Sequence, residues 1–326
     1  VSKTAVHFRQ ALEELGPSFI KLGQVLSTRR DLLPETWINE LTKFHSSVTP
    51  LPFSEIEAVL KRELGPEKLE EFKKINPKPV AAASIAQVHE AILKDGARVA
   101  LKVQRPGIIE QIEADCTLME LMAAALENYF PEIKYLRPVN IIEEFKRAIF
   151  SELNFIREAS NTTKIAQNFK DDDTVKIPEV NWNLTNERVL TLEFIEGVNP
   201  LDKKALKAKK LNPKVIVERG CSMFLQMVYI DGLFHGDLHP GNLLVLEDNV
   251  VGLIDFGITI RLSRSTRENL AGLFAALIEE DYESVVTCFA ELSRPGPGFN
   301  RDAFEHAISN AVAPYVGLEL SQVQSG

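Results

Sequence analysis

The sequence predicts an α+β protein of two lobes, one small and strand-rich, the other larger and helical, preceded by a helical extension. Three observations predict this. The first 78 residues carry apolar side chains at helical spacing, residues 80–104 switch to period-two alternation, and helical patterning dominates the last third. At 326 residues the chain also exceeds what one small core accommodates. The expected divisions are 1–78 for the extension, 79–196 for the small lobe with its inserted helices, and 197–326 for the helical lobe.

Taken in order, residues 3–29 read as helix, with Phe8, Ala11, Leu12, Leu15, Phe19, Leu22 and Leu26 forming one buried stripe. Gly16-Pro17 predicts a kink or two abutting helices, because proline cannot continue the backbone ladder. Helices follow near 35–46, 53–64 and 66–74, and Ser54 to Glu57 has capping-box spacing. Ile85 to Leu93 alternates, Asp95-Gly96 signals a hairpin turn, and Val99 to Val103 is the returning strand. Beyond Pro106-Gly107 come a helix over 108–129 and one long helix over 139–168. Short strands return over 175–198. A strand pair is expected at 243–246 and 250–254, and a helix from about Arg264. There is no internal repeat.

Acidic residues outnumber basic ones 46 to 37, a net charge of -9, which argues against a nucleic-acid surface needing clustered Lys and Arg. The local cluster Lys203, Lys204, Lys207, Lys209 and Lys210 reads as a solvated face. Cys116, Cys221 and Cys288 form no CxxC pair, so a reducing compartment is expected, with Cys116 and Cys288 as buried thiols. No apolar run reaches the ~18 residues that span a bilayer. The Val1 start and the polar end read as a trimmed piece of a longer chain, whose flanks are where a membrane anchor is expected.

The chemistry concentrates in two loops. In His235-Gly236-Asp237-Leu238-His239-Pro240-Gly241-Asn242, an Asp and an Asn stand five residues apart after an apolar strand. Asp255-Phe256-Gly257 follows a second strand. Phosphoryl transfer needs one carboxylate to orient the attacking hydroxyl or water, and a carboxylate with an amide oxygen to hold Mg²⁺ against phosphates. The kinase catalytic loop uses this interval, so Asp237 is the candidate catalytic residue and Asn242 and Asp255 the metal ligands. His235 and His239 suggest a zinc pair, but Gly236 and Pro240 oppose a helix presenting both, and a brace on the loop backbone suits His235 better.

Lys102, on the strand Val99–Val103, stands where kinases hold the α/β-phosphates, and requires a carboxylate partner; Glu152 and Glu158 are both candidates. The turn before it is not glycine-rich. Ala81-Ala82-Ala83-Ser84 restricts φ and adds methyl groups where phosphate approaches, so nucleotide selectivity or rate should depart from that of an ordinary kinase. No Ala-Pro-Glu segment follows Asp255, so there is no evident platform for a protein substrate.

These residues resemble the UbiB/AarF-type atypical protein-kinase-like proteins over about residues 5–290. The markers are Lys21-Leu22-Gly23-Gln24 (KxGQ), Ala81 to Ser84, Lys102, Glu152 with Glu158, the 235–242 loop and Asp255-Phe256-Gly257. The resemblance implies a protein-kinase-like bilobal fold with the helical extension over the active site. It implies pairing of Lys102 with Glu158 and of Lys21 with Glu152, and nucleotide contacts from Ala81, Ala82, Ala83, Ser84, Gln24, Glu193 and Ile195. It implies ATP and Mg²⁺ as cofactors, and a kinase or ATPase supporting ubiquinone-type prenylquinone synthesis. The partners it implies are a lipid or prenylquinone precursor and quinone-biosynthesis proteins. The place it implies is a membrane surface on the cytoplasmic or organellar-matrix side. One departure stands out: the family's Glu-x-Asp is Glu152-Leu153-Asn154 here, so residue 154 brings an amide without charge.

Two other readings compete. A small-molecule phosphotransferase of the aminoglycoside- or choline-kinase type carries a similar catalytic loop, but Lys21–Gln24 and the alanine-rich turn speak against it. A nucleotide-gated scaffold accounts for the alanine turn and Asn154, whereas the retained Asp237 speaks against it.

Overall fold

A computed structural model describes residues 3–29, 32–44, 49–293, 295–296 and 298–312. The polar end of the chain, Val1, and the last two residues of the helix expected over 35–46 lie outside them. The chain forms two compact units, Val1–Pro213 with Leu238–Ile258, and Lys214–Asp237 with Thr259–Gly326.

In the first unit, α1 (Lys3–Leu15) and α2 (Pro17–Ser27) meet at Gly16, whose φ of 107° is open only to glycine. Leu12, Phe19 and Leu22 are buried as expected, but Ala11 and Leu15, an i, i+4 pair on α1, lie together on the edge beside the Leu12 face and are exposed. These residues share a core with α3 (Glu35–Leu41), α5 (Ile108–Tyr129) and α6 (Pro138–Glu152). Gly23 is a packing residue: a Cβ there would meet the Phe44 ring, at 2.9 Å from Cζ, and Leu12 Cδ1 at 3.1 Å.

Helix α4 (Phe53–Leu69) starts where expected, but Pro52 stands at its N-cap and the Ser54 box does not form. Gly65 (φ 74°, ψ 172°) breaks α4 where the helices expected over 53–64 and from 66 divide. The second stops at Leu69 rather than 74, and strand β1 (Phe72–Ala82) has already begun, because pairing with β2 (Ala86–Leu93) overrides local propensity. With β3 (Arg98–Gln104) and β5 (Val189–Glu193) they form an antiparallel sheet in the order β1-β2-β3-β5. Leu101 and Val103 pack beneath α4, so alternation turns Lys102 to the opposite face.

The long helix expected over 139–168 is two helices. α6 ends at Glu152, and α7 (Phe155–Asn168) restarts after Asn154, whose side-chain oxygen accepts from the N–H groups of Ile156 (3.0 Å) and Arg157 (3.4 Å). Asn154 is thus an N-cap, a position where amide and carboxylate serve about equally. Phe155 and Ala159 of α7 pack on Ala86, Leu190 and Leu192 of the sheet. A three-stranded sheet joins β4 (Val175–Lys176), β8 (Val251–Leu253) and β7 (Leu243–Val245). Next to it, α8 (Lys203–Ala208) and the residues after it carry the expected lysine cluster as an exposed face.

The second unit contains α9 (Pro213–Leu225), which enters from the unit boundary, the two-stranded pair β6 (Leu233–His235) with β9 (Thr259–Arg261), and α10 (Arg264–Ile278), α11 (Tyr282–Ser293) and α12 (Arg301–Val312). Cys116 is buried, whereas Cys288 on α11 is only half-buried and Cys221 is exposed.

Candidate active site

Glu158 falls in the first turn of α7 and is 4% exposed. Both of its oxygens lie 2.8 Å from the Lys102 ammonium, and Asp255 Oδ2 lies 3.4 Å from the same nitrogen. Burial by itself would drive the Lys102 pKa down, but the facing Asp255 and Glu158 carboxylates more than offset it and hold the ammonium firmly charged. Burial pushes the Glu158 carboxyl up, Lys102 opposes that, and Asp255 adds to it. The Lys102 ammonium also lies 5.3 Å from the centre of the Phe155 ring.

The same helix fixes the Asp255 loop. Glu158 accepts a hydrogen bond from the Phe256 backbone, and Asn161, one turn along, donates from Nδ2 to the Phe256 carbonyl at 3.1 Å. Phe256 is fully buried, and Asp255 Oδ1 accepts from the Gly257 N–H at 2.9 Å. Asn161 was missed in the sequence, although its three-residue interval from Glu158 on a helix was a readable signal. Asn242 sits at the entry to β7 across from Ile254, whose N–H donates to the Asn242 carbonyl at 3.1 Å. Asn242 and Asp255 therefore stand at neighbouring positions of one hairpin.

Lys21 of α2 pairs with Glu152 at the end of α6, at 2.9 Å. Gln24, one turn further, is half-buried. Ala81 and Ala82 end β1 and Ala83 opens the turn, where its N–H donates to the Ala86 carbonyl at 2.9 Å; Ser84 is half-buried. The Glu193 carboxylate is engaged by Lys176 at 2.7 Å and by the Glu179 N–H at 3.2 Å, and its own N–H donates to the Glu179 carbonyl at 2.8 Å. Ile195 is half-buried beside Gly252. Asp237 belongs to the second unit and is exposed; its N–H donates to Nδ1 of the buried His235 at 3.1 Å, the backbone brace expected of that histidine. His239 Nδ1 likewise accepts from the Gly241 N–H at 2.9 Å.

The donor set fits Mg-nucleotide. One ammonium faces two carboxylates, so negative charge is in excess at Asp255, which is 42% exposed. A carboxylate with an amide oxygen at Asn242 is the hard-oxygen set that Mg²⁺ takes when phosphates complete its shell. Among the described residues no cluster of three or more His, Cys, Asp or Glu suggests a metal held by protein alone.

The family model described as the ABC1 atypical kinase-like domain matches residues 43–289. Proteins named probable protein kinase UbiB are similar along almost the whole chain. That of Marinobacter nauticus is 37% identical over 322 residues, and that of Aeromonas salmonicida 38% over 323, each match covering 98% of this chain. The chain spans 59% of the length of both relatives. Among solved structures, Rv3197 of Mycobacterium tuberculosis in its complex with erythromycin is similar at a TM-score of 0.64 and 28% identity, covering 96% of this chain and 78% of that one. The α+β architecture expected from the sequence is a kinase-like one.

Proposed function

This chain belongs to the ABC1 atypical kinase-like family, and from that premise we propose that it binds Mg-ATP and acts as an atypical kinase or ATPase supporting ubiquinone-type prenylquinone synthesis. The observation that carries this reading is the Lys102 ammonium held between Glu158 at 2.8 Å and Asp255 at 3.4 Å. Lys102 holds phosphate oxygens while Glu158 fixes its position. Asp255 and Asn242 are the metal ligands, the first through its carboxylate and the second through its amide oxygen. Asp237 orients the acceptor hydroxyl or water, and Lys21 and Glu152 border the site. Bound Mg²⁺ supplies charge neutralisation for the phosphates.

The acceptor is a lipid or prenylquinone precursor, or else lipid stimulates nucleotide hydrolysis, at a membrane surface facing a reducing compartment and alongside quinone-biosynthesis proteins. The names of the UbiB relatives support the kinase-like role in ubiquinone biosynthesis. No described helix is long and apolar enough to cross a membrane. The test is Mg-ATP hydrolysis by wild type and Asp255→Asn, with and without lipid vesicles. A loss of about a hundredfold or more in the variant is expected from removing a metal ligand; equal rates in both proteins would sink the metal-site assignment.

A further inference from the structure

The alanine-rich turn is tied down from outside by one side chain. Arg105 follows β3, three residues after Lys102. Its Nε donates to the Ala83 carbonyl at 2.9 Å and its Nη2 to the Thr49 carbonyl at 2.9 Å. Its backbone N–H donates to the Ile85 carbonyl at 3.0 Å. One residue therefore grips both sides of the 83–86 turn and the segment leading into α4. Inside the turn, the Ala83 N–H is already spent on the Ala86 carbonyl.

We infer that Arg105 is a positioning residue that locks the Ala81–Ser84 turn closed and so limits how closely a nucleotide's phosphates approach it. This rests on the nucleotide reading of the site. A glycine-rich turn closes over phosphate with free backbone amides. Here the Ala83 amide faces its own hairpin, and the guanidinium holds the carbonyl of that same residue. Releasing the guanidinium frees the turn to open, and frees the Ala83 N–H to donate to phosphate. The substitution Arg105→Met keeps much of the stem and removes the donors. Loss of a structural contact ordinarily weakens a site; this tether predicts the opposite sign for binding.

The experiment compares wild type, Arg105→Met and Arg105→Lys by calorimetric titration with Mg-ATP and by hydrogen exchange of residues 81–86 in the free protein. Arg105→Met should bind Mg-ATP about threefold to tenfold more tightly, the value of one recovered hydrogen bond, while its thermal midpoint falls. Its Ala83 amide should exchange faster. Arg105→Lys, which keeps one donor, should lie between. Unchanged or weaker binding by Arg105→Met overturns the inference, as does unchanged exchange over 81–86. A wild type that binds no nucleotide overturns the reading beneath it, and the exchange measurement still decides whether Arg105 locks the turn.

Discussion

Glu158 holds the Lys102 ammonium with both carboxylate oxygens at 2.8 Å from one nitrogen, and does so from the first turn of a helix whose start is set by Asn154. In Glu158→Gln, Asp255 is the one charged partner that Lys102 keeps among the described residues. We expect a loss of roughly 1–3 kcal/mol of stability, the usual consequence of removing a buried hydrogen-bonding charge. Urea denaturation measures it. Mg-ATP affinity should fall in the same variant, since Lys102 is no longer held in place by the α7 carboxylate.

Asn154 caps α7 through its side-chain oxygen, which a carboxylate at the same position could do equally well. Asn154→Asp should leave the thermal midpoint essentially unchanged, while Asn154→Ala should cost about 1 kcal/mol for the lost N-cap. A destabilised Asp variant would show that the amide hydrogens of residue 154 matter, contrary to the capping geometry.

Gly23 has no room for a methyl group beside Phe44 and Leu12. Gly23→Ala should destabilise the protein by about 1–3 kcal/mol through overpacking. The double variant Gly23→Ala with Phe44→Leu should lose less than the sum of the two single changes. Simple additivity would mean that the ring is not the obstacle.

His89 gives a pH signature. It is fully buried, its Nδ1 donates to the Asn76 carbonyl at 2.8 Å, and its Nε2 lies 3.1 Å from the Gln87 amide nitrogen, from which it accepts. Burial holds its pKa below the ordinary value, with the Asn76 hydrogen bond opposing that in part. Below pH about 6.5 the unfolded imidazole takes up a proton that the folded one refuses. Stability should therefore fall as pH drops from 7 to 5, and fall less steeply in His89→Gln. Parallel urea midpoints for the two proteins across that range would contradict the assignment.

Much of the site was legible in the sequence because its determinants are local. The Val99–Val103 strand, the turn at Gly96 and the two loops after apolar strands each follow from alternation and turn chemistry within a few residues. The same locality misled at the end of the 66–74 segment, where helical propensity lost to strand pairing with residues further along the chain. It misled again at 139–168, where one periodic stretch hid a capped break.

By itself the sequence determined which groups are present: a lysine on a strand, two glutamates six apart, an Asp-Phe-Gly loop and an alanine turn. The tertiary structure decided which of them meet. On one continuous helix Glu152 and Glu158 would point about 120° apart around a single axis; the break at Asn154 instead gives each its own helix and its own lysine, Lys21 and Lys102. The roles of Gly23 and Arg105 belong to the same category. Each depends on close approach between segments distant in sequence, which periodicity and spacing do not encode.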